Sequence, residues 1–118
     1  MKKENRTYWM YLEDMNLAMD RITEYIHNLS FTLFKQDYKT VDAVIRNFEV
    51  IGEASKNLPD EFKKTHPEVP WYEIYLPRNK VSHEYFGIDY EIIWDIAINY
   101  IPENKTQIEA ILKNEFNI

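Results

Sequence analysis

Leu12, Met15, Met19, Ile22, Ile26 and Leu29 recur at spacings of 3, 4, 3, 4 and 3. That period puts all six on one stripe of an α-helix, and no strand can match it, because side chains on a strand change face at every residue. A helix running roughly from Tyr8 to Asn28 is predicted. Val41, Ile45, Phe48, Gly52, Ser55 and Leu58 repeat the pattern, with Asp37 or Thr40 available as N-cap and Pro59 forbidding continuation much beyond Leu58. A last helix is predicted from an Asp89 cap, carrying Ile92, Ile93, Ile96, Ala97, Tyr100, Ile108, Ile111 and Leu112, and broken or kinked at Pro102.

Shorter pieces connect these. Ser30 can cap a turn over Phe31–Lys35, docking Phe31 and Phe34, and Asp60 can cap another through Lys64 that His66-Pro67 ends. Pro70 can open a turn through Tyr75, and Pro77 a helix that ends near Gly87, a left-handed C-cap. Strand alternation, internal repeats and a dividing linker are all missing. The expected fold is all-α, an up-and-down bundle of four to five helices forming a single domain over residues 1–118. Composition agrees: 45% hydrophobic and 15% aromatic residues, with only 2 Gly and 5 Pro, suit neither a disordered chain nor a turn-rich sandwich.

Charge and residue usage exclude several functions. Fourteen Lys plus Arg against 20 Asp plus Glu give a formal charge of −6, so any polyanion must be gripped locally rather than attracted from afar. With no cysteine, and with His27, His66 and His83 in no metal-ligand spacing, neither a disulfide framework nor a structural zinc site is expected. The N-terminal stretch lacks a secretory signal pattern and no run of 18 apolar residues occurs, so a cytoplasmic protein without membrane association is expected. Gly52 and Gly87 are too far apart for a phosphate-cradling loop, and no nucleophile elbow is present. Any enzymatic attacking group would therefore come from substrate or water.

The densest polar cluster is Arg78-Asn79-Lys80-Val81-Ser82-His83-Glu84-Tyr85, directly after Pro77. A helix N-terminus there would favour an anion, and the Arg78 guanidinium offers a planar fork of donors suited to phosphate. His83 has the one nearby side chain whose unperturbed pKa, about 6.5, allows it to take and give protons near neutrality. Asn79 and His83, four apart, share a helix face on which the amide could fix the imidazole tautomer. Arg78 and His83 would diverge by about 140° on a regular helix. Either the first turn is irregular, or two copies of the segment complete one site across a two-fold axis. Elsewhere, Gly52 fits close helix approach better than chemistry, Trp71, Trp94 and the tyrosines fit a core or dimer seam, and His27 and His66 have ordinary structural places. Glu91 and Asp95 fit a solvated face rather than a metal pair, so no metal is assigned.

Arg78, four intervening residues, His83, one residue and Tyr85 match the RxxxxHxY motif of the HepT-like toxins of the HEPN group of small helical proteins. Asp42-Ala43-Val44-Ile45-Arg46, Ile51-Gly52-Glu53-Ala54, Trp71 and Arg78-Asn79 resemble that family in order and spacing across nearly the whole chain. The resemblance implies a HEPN-like fold and a homodimeric, metal-independent endoribonuclease without cofactor, with Arg78 and His83 of both subunits in a shared cleft. Asn79, Lys80, Ser82 and Glu53 are the supporting or RNA-binding candidates. It also implies a minimal nucleotidyltransferase antitoxin as partner, which transfers AMP to Tyr85. Pro77 departs from the small or flexible residue common before the arginine in relatives. The alternative reading is a non-catalytic helical scaffold or nucleotide-binding partner of the nucleotidyltransferase, a reading that the acidic total charge favours.

Overall fold

The computed structural model describes residues 2–72 and 89–118, and every regular element among them is helical. Helix α1 spans Lys2–Ile26. It starts well upstream of the expected Tyr8, because once a helix is nucleated each added residue gains a hydrogen bond without a second nucleation cost. Asn28 ends it in a left-handed conformation (φ 67), which Asn tolerates better than bulkier residues. Leu29, read from sequence as the last member of the stripe, therefore lies beyond the helix, where it packs half-buried against the core.

Ser30 caps α2 (Phe31–Gln36) as expected, its Oγ accepting from the Leu33 N–H at 3.2 Å. Asp37 closes α2 and opens α3 (Tyr38–Lys56) at once. Its N–H donates to the Phe34 carbonyl at 3.0 Å, and its carboxylate accepts from the Thr40 N–H at 3.2 Å and the Thr40 hydroxyl at 2.7 Å. Those bonds, the hydroxyl first, hold the Asp37 carboxyl below its ordinary value. Asp37 is thus the cap, and Thr40 supports it from the third position of the helix.

The buried face of α3 is broader than the stripe read from sequence. Val44, Asn47 and Ile51 are buried beside Val41, Phe48, Gly52 and Ser55, whereas Ile45 is half-buried. Asn47 enters this face because its amide donates to the Ala43 carbonyl one turn back, at 2.9 Å. Helix α4 (Asp60–Lys64) has extended Pro59 at its N-cap, so Asp60 sits one position inside the helix rather than capping it. There its charge faces the positive end of the dipole.

Asp89 caps α5 (Tyr90–Asp95), accepting from the Ile92 N–H at 3.2 Å. A π-helical turn over Ile96–Tyr100 follows, then α6 (Ile101–Phe116). The expected interruption near Pro102 is this π turn. Pro102 has no N–H to offer and its ring would press on the carbonyl four residues back. The buried residues ask for the same device: Ile93, Ala97 and Ile101 are spaced 4 and 4, which on a regular α-helix drifts about 80° off one face. A wider turn returns them to one line. At the other end Asn117 is left-handed (φ 58), and the N–H groups of Asn117 and Ile118 both close on the Leu112 carbonyl.

Packing makes α1 the central helix. It lies chiefly against α3 and then α6, while α2 bridges α3 and α5. Leu12, Met15, Met19 and Ile22 of α1 have no solvent exposure, and Val44 of α3 and Ile108 of α6 are equally enclosed. Phe34 carries α2 into this core and meets Trp94 at 5.1 Å between ring centroids. The result is an all-α bundle in which no described helix is long and apolar enough to cross a membrane.

Candidate functional site

The sequence places the chemistry in one segment, and Arg78, Asn79, Lys80, Ser82, His83 and Tyr85 all lie outside the described residues, as do the rest of the turn expected beyond Tyr72 and the helix expected from Pro77 to near Gly87. Described structure brackets that segment on both sides. After it, Asp89 fixes the chain through its cap. Before it, Trp71 is buried, and its indole N–H donates to the carbonyls of both Lys63 (3.1 Å) and His66 (3.0 Å). Trp71 thus belongs to the core, as expected. Pro70 precedes a helical Trp71 and Tyr72, in line with a turn opening there.

Glu53 is the one candidate that can be placed. It is exposed on α3, in a charged row with Asp42, Arg46 and Glu49. It lines a cleft of about 360 Å³ between α1 and α3, with Tyr11 and Asp14 on the α1 side and Arg46, Glu49 and Asn57 on the α3 side. Arg46 approaches Glu49 at 3.8 Å with 73% of its side chain exposed, so the pair is worth at most about 1 kcal/mol. Asp14, Glu49 and Glu53 outnumber Arg46 in this lining. The described lining of the cleft is therefore net acidic, which disfavours an RNA phosphate; Arg78 and Lys80 are the cations the sequence offers for a phosphate.

Tyr11, Asp14 and Arg46 were not singled out as site residues from sequence. The available signal was the charged spacing of 4, 3 and 4 along residues 42, 46, 49 and 53, which places four ionisable groups on one helix face. Among the tyrosines, Tyr38 and Tyr72 are about 70% exposed, so they are not core residues. Glu91 and Asp95 are exposed on α5, and Asp95 accepts from the Asn99 amide at 2.6 Å.

The described helices, packed around α1, make an all-α, HEPN-like bundle, and in the sequence the RxxxxHxY pattern lies between Trp71 and Asp89. A sequence model described as Ribonuclease HepT-like matches residues 15–111, which include the whole motif, and the chain belongs to that family. It is 46% identical to an RNase-named protein of Methanocaldococcus jannaschii over 96% of this chain and 91% of that one. It is 44% identical to a ribonuclease HepT of Thermococcus cleftensis, over 92% and 98% of the two chains. A third relative, an RNase-named protein of Caldanaerobacter subterraneus subsp. tengcongensis, is 43% identical over 89% and 94%. All three names are provisional assignments. No solved structure matches the chain.

Proposed function

We propose that this protein is a metal-independent endoribonuclease toxin of a toxin-antitoxin pair. It acts in the cytoplasm as a homodimer of single-domain subunits whose Arg78 and His83 form one composite site. The observation that carries the reading is the family match over residues 15–111 with Arg78, His83 and Tyr85 in motif register.

In this reaction the RNA 2′-oxygen attacks the adjacent phosphorus while one His83 takes the hydroxyl proton. The bond from phosphorus to the 5′-oxygen then breaks, and the other His83 returns a proton to that oxygen, leaving a cyclic phosphate. Arg78 neutralises charge developing on the phosphoryl oxygens. Asn79, Lys80, Ser82 and Glu53 orient the imidazole or hold the strand. Because the substrate supplies the nucleophile, the chain requires neither a serine nor a cysteine attacking group.

Regulation follows from Tyr85, two residues beyond His83. AMP transferred there by a minimal nucleotidyltransferase antitoxin adds bulk and negative charge beside the site and repels RNA phosphates. The test is RNA cleavage by purified protein in excess chelator, wild type beside His83→Ala and Arg78→Ala. Each variant is expected to lose about 10²-fold or more in rate. Equal cleavage by wild type and His83→Ala would show a contaminant. No cleavage by either, with an AMP mass increase on Tyr85 after coexpression with the partner, would leave the scaffold reading.

A further inference from the structure

His66 is almost wholly enclosed, with 9% of its side chain exposed, yet both ring nitrogens face carboxylates. Nε2 lies 2.7 Å from Glu115 Oε2 at the end of α6, and Nδ1 lies 3.5 Å from Glu68 Oε2 in its own turn. The Nε2 approach is a close contact without the alignment of a hydrogen bond. The ring also packs on Phe62, whose own ring meets Tyr8 of α1, Trp71 and Phe116 of α6. Apolar packing therefore already joins these elements. The two carboxylates approach the ring at both nitrogens, and the His66 carbonyl is one of the two acceptors that orient Trp71.

Trp71 and Tyr72 are the last described residues before the segment that carries Arg78 and His83. A small displacement of reacting groups lowers a chemical rate far more than it lowers binding. We propose that His66 is a positioning residue: held between Glu68 and Glu115, it fixes Trp71 and thereby the register in which the chain enters the 78–85 motif. It acts on turnover rather than on RNA affinity, and this rests on the ribonuclease reading.

Glu115→Gln removes the charge without removing bulk from a half-exposed side chain, and Glu115→Asp keeps the charge on a shorter arm. Two readouts are taken: kcat and KM for RNA cleavage, and the emission of Trp71 in a Trp9→Phe, Trp94→Phe background. Glu115→Gln is expected to lower kcat about fivefold to tenfold with KM within about twofold. It should also shift the Trp71 emission, and Glu115→Asp should recover part of both. Wild-type kcat and emission in Glu115→Gln would overturn the proposal, as would a kcat loss without an emission change or one matched by an equal rise in KM. If the wild-type protein cleaves no RNA, the ribonuclease reading fails by itself. The emission shift and its recovery in Glu115→Asp then decide whether the clamp on Trp71 exists.

Discussion

Phe34 and Leu33 are neighbours on the six-residue α2, yet Phe34 has no exposure and Leu33 is 52% exposed. A helix this short has almost no stability of its own, so its place in the bundle depends chiefly on the one ring it buries fully, with Phe31 half-buried beside it against Trp94. Phe34→Ala removes that ring and its tilted contact with Trp94, and substitutions of this kind cost about 3–5 kcal/mol. Unfolding entropy near 60 °C is about 2.1 cal/mol/K per residue, so 118 residues give about 0.25 kcal/mol/K. A loss of about 4 kcal/mol then lowers Tm by about 16 °C. Leu33→Ala should change stability by no more than about 0.5 kcal/mol. The assay is urea unfolding followed by circular dichroism and tryptophan emission at one fixed protein concentration, since subunit association would make stability concentration-dependent. Equal effects of the two substitutions, or a Phe34→Ala cost below about 1 kcal/mol, would refute the docking of α2 through Phe34.

Two further outcomes are expected. Pro102→Ala should leave the π turn in place and change stability by about 1 kcal/mol or less, because the 4, 4 spacing of Ile93, Ala97 and Ile101 still demands the wider turn. A structure of the variant with a continuous α-helix over residues 90–116 would show that proline alone made it. The Asp37 carboxyl is held below its ordinary value of 3.8 by the Thr40 hydroxyl and amide. A depressed folded value means that the contribution is complete above the ordinary value and is lost as pH falls through the folded one. Asp37→Asn should therefore flatten the acid side of the stability profile, measured by urea midpoints between about pH 6 and pH 2, and an unchanged acid limb would count against the cap.

Among the described residues, the helical type and order of the elements were legible in the sequence because they follow from local chemistry. Apolar spacing fixes a period, Ser30, Asp37 and Asp89 offer side-chain oxygens to unpaired N–H groups, and Pro59 and Pro102 disrupt the ladder wherever they fall. The RxxxxHxY segment was legible for a related reason, since its residue types and spacing are themselves the pattern. Other features required three dimensions. Whether Ile45 or Ile51 is buried depends on how α3 is rotated against α1, which a 3-and-4 repeat leaves open by a fraction of a turn. Tyr11 and Asp14 share a cleft with Arg46 and Glu53 only because two helices distant in sequence lie side by side. His66 reads in sequence as a turn residue before a proline. Only the return of α6 brings Glu115 to its ring, because contacts between residues far apart in the chain are set by packing of whole helices and leave no period in the sequence.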